Sequence, residues 1–414
     1  MKKSEFQALE KAIADITAIA QECKLDFFPM RYEICPADVL YSIGAYGMPT
    51  RFSHWSFGKT YHKMKMSYDF NMSKIYELVV NSDPCYAFLL ENNNLLQNKL
   101  IVAHVLGHSD FFKKNAYFAP TNRDMIDRMS LYAEQIKEME FEHGVKPVEQ
   151  FIDAILSIQE HVDPNVTCGG KSYEQPQEEY KDLLLYILMN NPYLEEWQQQ
   201  LLHIMREEML YFYPQIETKI MNEGWATFWH LEIMRKLDLT EAESIEFAQM
   251  NAGVIQASPT SLNPYLMGVK IFQDLDKKYG RDFIFDVREM NNDISFIRNY
   301  LNKDVIKEMD LYTFEKQGKD YHVSSKECED IKQAIINQRT NGGFPYIVVK
   351  DGDYNQNREL YLLHKFEGTE LDVKYVKHTL PSVYELWNRP VHLETVVDKK
   401  KVVFSYDGKE MKTS

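Results

Sequence analysis

The sequence predicts a mainly α-helical protein with a small α+β module at its C-terminal end. Apolar residues recur at helical spacing through most of the chain up to about residue 313. After about residue 314 the pattern changes to short β-rich runs separated by turn residues. The 414 residues exceed one ordinary domain, so we expect a helical domain over 1–313 and a small α+β domain over 314–414.

Helical periodicity defines the elements expected before residue 314. A first helix is predicted over 5–23, whereas the aromatic segment 27–67, interrupted by Pro and Gly, favours no single element. Pro214 falls between two helical patterns and suits the first turn of the second one. The polar stretch 163–180, with two glycines and two prolines, predicts an internal loop. Helix dominates from about 72 to 313, and the helices predicted there are 95–113, 122–142, 146–160, 181–189, 194–212, 215–236, 240–250, 264–279 and 292–308.

The C-terminal module alternates helical and extended patterns. Short runs rich in β-branched and aromatic residues, bounded by Gly, Asn and Asp, predict strands and hairpin turns. The predicted elements are, in order, a helix over 326–339, a strand at 344–349, a turn at 351–353, a strand at 359–364, a helix near 371–387, and a hairpin of 391–397 and 401–406 closed by a tight turn at 397–400.

The charge and composition exclude several classes of protein. Lys and Arg number 47 and Asp and Glu number 62, which gives a net charge of −15. Nucleic acids and anionic membranes bind basic surfaces, so this charge argues against both as the main partner. The longest apolar run, 183–189, is too short to cross a bilayer, and the N-terminal stretch lacks the apolar core of a signal peptide. Five cysteines without a CxxC pair indicate free thiols in a reducing compartment, so we expect a soluble cytoplasmic protein.

Two histidines in an apolar helical segment give the sharpest local signal. His104 and His108 lie four residues apart in AHVLGHSDFF (103–112), so both imidazoles project from one face of the predicted helix. The helix is apolar on nearly every side and is therefore expected to be buried. Buried imidazoles need hydrogen-bond partners or a metal ion. The alternative to a metal site is a pair of core histidines with ordinary hydrogen bonds.

A carboxylate in a second apolar helix supplies the candidate third ligand. Glu223 and His230 lie seven residues apart in MNEGWATFWH (221–230), which places them on one face. Two histidines and one carboxylate form the open type of zinc site, although the same set also holds Fe(II) or Mn(II). The alternative for Glu223 is a charge near a helix N-terminus or a salt bridge.

These two motifs resemble the gluzincin metallopeptidases. In that group HExxH is followed, on a later helix, by Asn-Glu-Gly-aromatic-Ala, which HVLGH (104–108) and NEGWA (222–226) resemble. The likeness implies a gluzincin-like helical metal-binding core. The position of the general base is occupied by Val105, and 114 residues separate His108 from Glu223, so the peptidase mechanism does not transfer with the ligands.

A wider resemblance covers residues 5–408. The segments FPMRYEICP, GMPTRFSHWSFG, HVLGHSDFF, REEMLYF, MNEGWA and RTNGGFPY, in this order, are similar to the stage V sporulation protein R family. The resemblance implies a role in forming the peptidoglycan cortex of bacterial spores, in the cytoplasm of the mother cell if the source sporulates. Relatives also occur in bacteria that do not sporulate. The family implies a process rather than a reaction.

Other side chains could supply the missing acid and base. Glu207 or Glu208 could act as the base or as an extra ligand, and the alternative is a solvated face with a pairing to Arg206. His54 or His230 could stabilise an oxyanion or protonate a leaving group, and plain aromatic packing is the alternative for His54. The polar loop at 251–268 could line a substrate cleft or be a simple connection.

Three functions are consistent with these patterns. The first is a metal-dependent hydrolase that cuts an amide bond in a peptide or a cell-wall precursor, with zinc, Fe or Mn as the cofactor. The second is a non-catalytic assembly or regulatory protein in cortex formation that retains a structural metal site, which Val105 favours. The third is a non-haem iron oxygenase. The expected partner is accordingly a soluble substrate or another protein, and the sequence leaves the oligomeric state open.

Overall fold

Helices form most of the chain in the computed structural model, which describes residues 3–69, 77–166, 179–257, 261–317 and 320–414. Together with a small sheet module near the C-terminus, they confirm the predicted fold class. No helix in these ranges is both long and apolar enough to cross a membrane. Cys23, Cys35, Cys85 and Cys328 are free thiols, and Cys168 lies outside the described residues.

The described elements are numbered in chain order. The helices are α1 (Lys3–Glu22), α2 (Ala37–Tyr46), α3 (Trp55–Asp69), α4 (Leu95–Lys114), α5 (Met125–His143), α6 (Val145–Leu156), α7 (Leu183–Asn190), α8 (Glu196–Glu217), α9 (Lys219–Lys236), α10 (Glu241–Val254), α11 (Pro264–Tyr279), α12 (Arg281–Met290), α13 (Asp293–Tyr300), α14 (Lys303–Glu308), α15 (Cys328–Arg339) and α16 (Val373–Trp387). The strands are β1 (Met30–Cys35), β2 (Glu77–Val80), β3 (Cys85–Leu90), β4 (Thr313–Gln317), β5 (Asp320–Ser325), β6 (Ile347–Tyr354), β7 (Glu359–His364), β8 (Val391–Val397), β9 (Lys400–Tyr406) and β10 (Met411–Thr413).

Two compact units interleave along the chain. The first unit comprises Met1–Arg128 and Pro214–Arg339, and the second comprises Met129–Tyr213 and Thr340–Ser414. Of the three changes of unit, two fall inside α5 and α8 and the third directly follows α15. The predicted division between residues 313 and 314 stays a prediction.

The first unit is built around helices α4, α9 and α11. Its core contains the fully buried aromatic side chains of Trp225, Trp229, Phe272 and Phe296. A three-stranded sheet of order β1-β3-β2 lies in the same unit, with β1 parallel and β2 antiparallel to β3. The strands β4 and β5 form a separate antiparallel hairpin.

The second unit contains a five-stranded sheet of order β10-β9-β8-β7-β6. Its neighbouring strands are antiparallel except β7 and β8, which are parallel. Burial alternates along β7, where Leu360, Leu362 and His364 are buried, as expected for a strand with one face on the core. Helix α16 packs against β8, β9 and α6 and supplies Leu380 and Val383 to that core.

Several boundaries differ from the prediction. Pro214 lies inside α8 rather than at the start of the next helix. A proline removes only one backbone donor, and α8 continues past it. The Pro214 carbonyl accepts hydrogen bonds from the backbone N–H and the side chain of Thr218. The segment 292–308 splits into α13 and α14, because Asn302 caps a new helix start. Helix α12 and the strands β1 to β5 were not predicted. Of the loop predicted over 163–180, residues 167–178 lie outside the described residues.

The turn of the first C-terminal hairpin is also displaced from the prediction. Residues 351–353 belong to strand β6, which continues to Tyr354 through two irregularities of register. The chain reverses instead at Asn355, Gln356 and Arg358, which have φ values of 60°, 55° and 55°. Asn tolerates this left-handed region better than most residues. Asp-Gly-Asp has the composition of a turn, but here its three residues continue the strand.

Candidate metal centre

Helix α4 presents two buried imidazoles side by side. The helix starts at a capping box in which Asn94 and Gln97 satisfy each other's backbone N–H groups. One turn apart on α4, His104 and His108 are 5% and 6% exposed, and their ring centroids are 4.6 Å apart. The predicted pairing on one face of a buried helix is therefore present.

Glycines allow helix α9 to approach α4 and α11 closely. A Cβ atom on Gly107 of α4 would lie 2.7 Å from the Cα of Ala226 on α9. A Cβ atom on Gly224 would lie 2.3 Å from the Cα of Gly268 on α11. Contacts this short require hydrogen in place of a side chain at both positions. The segment that carries Glu223 is thus held directly against the histidine face of α4.

A buried carboxylate reinforces the same helix contact. Asp110 on α4 accepts hydrogen bonds from the Trp225 indole N–H (2.8 Å) and from the Asp26 backbone N–H (2.8 Å). Burial raises the pKa of Asp110 to about 6, although the nearby Arg288 lowers it. Asp110 therefore fixes the register between α4 and α9 and holds a loop.

The three predicted ligands converge at one point. His104 Nε2 and His108 Nε2 lie 3.1 Å apart, and Glu223 Oε2 lies 3.7 Å and 3.5 Å from them. Within the described ranges these residues form a group of His, Cys, Asp or Glu side chains whose ligand atoms all lie within 4.8 Å of one another. His108 and Glu223 are more than a hundred residues apart in the sequence, and the packing of α4 against α9 brings them together.

Asn222 selects the tautomer of His108. The two side chains meet at 2.8 Å between His108 Nδ1 and Asn222 Oδ1. Because an amide oxygen only accepts, Nδ1 must carry the proton and donate it. A neutral His108 then presents an unprotonated Nε2 to the centre. A ligand whose other nitrogen donates to a protein oxygen is the usual arrangement at metal sites.

A second imidazole orients His104. His230 Nε2 lies 3.0 Å from Asn251 Oδ1, and His230 Nδ1 lies 3.0 Å from His104 Nδ1. With Asn251 Oδ1 as acceptor, a neutral His230 carries its proton on Nε2 and accepts at Nδ1 from His104. Burial, with a contribution from His104, lowers the pKa of His230 to about 3, so this ring is neutral at physiological pH. His104 Nε2 is therefore also left with a free lone pair.

In these tautomers, two imidazole lone pairs and one carboxylate oxygen face one another at the centre. Burial lowers the pKa of His104, which keeps that ring neutral. Burial alone would raise the pKa of Glu223, whereas an N–H donor or a positive charge at the two imidazoles lowers it and keeps the carboxylate ionised. Glu223 Oε2 is buried and makes no hydrogen bond to the described residues. A cation fits this point, because two lone pairs and an anion otherwise repel one another.

Two further residues border the centre and were not singled out by the sequence. Lys219 Nζ lies 3.7 Å from Glu223 Oε1, one helical turn earlier on α9, and its side chain is 56% exposed. The Tyr265 ring lies nearly parallel to His104, with centroids 6.2 Å apart. The loop predicted over 251–268 contributes Asn251 and Tyr265, although both lie in helices; residues 258–260 lie outside the described residues.

The remaining predicted site residues have local contacts of their own. His54 is buried immediately before α3, with Nδ1 2.8 Å from Ser56 Oγ and its ring edge-on to Phe57. Glu207 and Glu208 belong to α8 in the second unit, whereas the three ligands belong to the first. Glu208 is buried, and Glu207 lies 3.8 Å from Arg206, the pairing that was the alternative for this site.

Comparison with protein families identifies the chain. The family described as SpoVR like protein matches residues 3–179 and 167–344, and the SpoVR-like C-terminal domain matches residues 345–398. The chain belongs to the SpoVR family. Membership in this family suggests a sporulation-related role. The likeness to gluzincins stays a prediction.

One relative aligns over almost the whole chain. It is the uncharacterized protein YcgB of Escherichia coli (strain K12), which is 27% identical; the alignment covers 94% of this chain and 92% of the relative. No solved structure matches the chain.

Proposed function

We propose that this SpoVR-family protein is a divalent-metal-dependent hydrolase that acts in spore cortex formation. Its substrate would be an amide bond in a peptide or a cell-wall-related precursor. The observation that carries the proposal is the convergence of His104 Nε2, His108 Nε2 and the buried Glu223 Oε2 within 3.7 Å of one another. Two histidines and one carboxylate leave a coordination position open, as catalytic sites do.

Zinc is the proposed ion, because two histidines and one carboxylate form the open, catalytic type of zinc site. Iron as the native metal would instead favour an oxygenase, which uses the same ligand types.

Different residues of the chain would carry out different parts of the proposed hydrolysis. A divalent ion, when bound, lowers the pKa of a water molecule and polarises a carbonyl group. Asn222 and His230 hold the ligand imidazoles in the tautomers that bind a cation. Glu207 or Glu208 would accept the proton from water, and His54 or His230 would donate one to the leaving group. For His230, the two occupied ring nitrogens favour positioning instead.

The expected setting follows from the family and the charge. A cytoplasmic protein, in the mother cell of a sporulating source, would act on a soluble precursor or on a protein partner rather than on the polymerised cortex. The net charge of −15 supports neither nucleic acid nor an anionic membrane as partner.

Metal content tests the site first. Elemental analysis of the purified protein should find one divalent ion per chain, and H104A, H108A and E223A should each lose it. H364A is the matched control, because His364 is an equally buried imidazole that lies in the second unit and is bonded to Thr395. A wild-type protein without stoichiometric metal, or an H108A variant that retains it, would rule out the site.

Catalysis needs a separate test. The metal-loaded protein should cleave members of a fluorogenic peptide library, and E223A should not. If E207Q or E208Q abolishes cleavage while metal content is unchanged, that glutamate is the base. Metal-loaded protein that cleaves no peptide in the library and no soluble cell-wall precursor contradicts the hydrolase.

Val105 favours a second candidate, a non-catalytic assembly or regulatory protein with a structural metal. Val105 is fully buried and packs in an apolar cluster with Leu9 of α1 and Leu89 of β3. The position that carries the general base in HExxH is therefore occupied by Val105, which belongs to the apolar core. This candidate predicts that E207Q and E208Q both restore spore formation in a host that lacks its own family member, whereas H108A does not.

A further inference from the structure

The second unit contains a cavity of about 380 Å³ that is separate from the metal centre. It lies where the C-terminal ends of α7 and α16 meet the connection between β6 and β7. Its volume falls near the lower end of the range for small-molecule sites, about 300–1,000 Å³. Two arginines, two aspartates and three aromatic residues line it, namely Arg358, Arg389, Asp351, Asp353, Tyr186, Tyr193 and Trp387.

Arg358 is held in an unusual backbone conformation at the edge of this cavity. Its φ of 55° lies in the left-handed region, which is unfavourable for a residue other than glycine. Its N–H donates to Asp353 Oδ1 (2.8 Å) and its carbonyl accepts from Trp387 Nε1 (2.8 Å). Its guanidinium makes no ion pair within the described part of the chain. The backbone is fixed on both sides while the cationic group is left available.

Arg389 supplies a second ordered guanidinium. It lies over the Tyr193 ring, 4.7 Å from the centroid, and donates to the Tyr193 hydroxyl (3.0 Å). Stacking on an aromatic face reduces the freedom of the long side chain. Two guanidinium groups at one cavity recognise a carboxylate well, because each offers paired donors in a plane.

Negative charge is also present at this cavity, beside the two arginines. Asp351 accepts from the backbone N–H of Asp353 (2.8 Å) within β6, and Asp353 accepts from that of Arg358 in the β6–β7 connection, so both carboxylates are held by backbone donors. The C-terminal ends of α7 and α16 add negative partial charge. Among the described residues, neither aspartate forms an ion pair with Arg358 or Arg389. Both signs of charge are therefore available to a ligand.

An aromatic wall completes the cavity. Tyr186 and Trp387 stack with centroids 6.0 Å apart and an interplanar angle of 30°. A Cβ atom at Gly352 of β6 would lie 2.0 Å from the Tyr186 hydroxyl, so a larger residue there would displace the end of that side chain. Aromatic faces attract ammonium groups, which adds to the effect of the two aspartates.

We propose that this cavity binds a zwitterion, namely an amino acid or the end of a short peptide. The carboxylate would lie at Arg358 and Arg389, the ammonium group at Asp351 and Asp353, and the small side chains against Tyr186 and Trp387. The site does not depend on the metal centre or on the proposed hydrolase.

Calorimetric titration of the full chain with three matched probes tests the site. The dipeptide Ala-Ala carries both charges, N-acetyl-Ala-Ala lacks the ammonium group, and Ala-Ala-amide lacks the carboxylate. Ala-Ala should bind roughly tenfold or more tightly than either neutralised probe, since hydrogen bonds to charged groups contribute about 1.5–3 kcal/mol each.

Variants that remove one charge test which residues bind the carboxylate of the dipeptide and which bind its ammonium group. R358Q should weaken Ala-Ala binding and remove its advantage over Ala-Ala-amide while keeping its advantage over N-acetyl-Ala-Ala. D351N should show the reverse pattern. K374Q changes an exposed cation of the same unit away from the cavity and should bind as the wild type does. Absence of Ala-Ala binding, equal affinity for all three probes, or variants that weaken all probes equally would overturn the proposal.

Discussion

Asn222 decides which nitrogen of His108 faces the centre. The 2.8 Å hydrogen bond from His108 Nδ1 to Asn222 Oδ1 fixes the orientation of this imidazole. The proton of a free histidine can move to either nitrogen, and one of the two tautomers presents an N–H to the centre instead of a lone pair. A single amide therefore separates a metal ligand from an ordinary core histidine.

We expect N222A to weaken metal binding by roughly 10–100-fold without removing any ligand, as loss of such supporting bonds does at other metal sites. The change also leaves His108 Nδ1 without its acceptor, so a modest loss of stability should accompany it. Competition with a chromophoric chelator measures the affinity, and thermal unfolding of the metal-free protein measures the stability.

N251A provides the graded comparison, because Asn251 acts on His104 only through His230. Its effect on metal affinity should be smaller than that of N222A. Equal metal affinity in the wild type and N222A would show that Asn222 does not position the ligand.

Helix α9 is the element on which the centre depends. It carries Asn222, Glu223 and His230, and it can lie against both α4 and α11 only because Gly107, Gly224 and Gly268 lack side chains. A conventional helix contact would separate the axes and move Glu223 away from the imidazoles. The glycines are thus structural requirements of the site, although none of them contacts a ligand atom.

G224A should destabilise the protein by about 1–3 kcal/mol or more, because its Cβ would meet the backbone of α11 at 2.3 Å. Gly253 on α10 is the matched control, since a Cβ there meets nothing within 4 Å. G253A should be neutral or stabilising by up to about 1 kcal/mol, because Ala is the better helix former. Urea unfolding followed by circular dichroism measures both. Similar stabilities for the two variants would contradict the close-packing argument.

At the scale of the whole molecule, histidines that are neutral in the folded state make its stability depend on pH. His161, in the second unit, has its pKa lowered to about 4, chiefly by burial and also by the charges of Lys181 and His364. An unfolded histidine titrates near 6.5. Between these values the unfolded chain binds the proton more readily than the folded one, so stability is full above about pH 6.5 and falls as the pH drops towards 4.

We expect H161F to reduce this acid sensitivity. Between pH 4 and 6.5 the slope of the free energy of unfolding against pH should be smaller in H161F, by the equivalent of up to one bound proton per molecule. Below pH 4 the two slopes should be equal. Urea unfolding of wild type and variant at several pH values gives this difference directly and cancels the contribution of the other histidines. Parallel curves across that window would show that His161 does not titrate as described.

Regular helices were well predicted, and elements with ambiguous local patterns were not. Helix α4, predicted over 95–113, is found over Leu95–Lys114, because the capping residues at Asn94 and Gln97 and the apolar run agree. Strands β1 and β3 were missed, since six residues such as CYAFLL fit a strand or a buried helix equally well without a partner strand. In β7, where burial alternates, the predicted bounds 359–364 are the observed ones.

The sequence by itself determined the family, the helical class and the three side chains with metal-ligand chemistry, because each is encoded in residue identity and local spacing. Only the tertiary structure decided that those side chains meet and that Asn222 and His230 set their tautomers. Such contacts join residues more than a hundred positions apart, as His108 and Asn222 are. Local pattern does not encode them, because they depend on how closely α4 and α9 pack, and that is set by glycine contacts with a third helix.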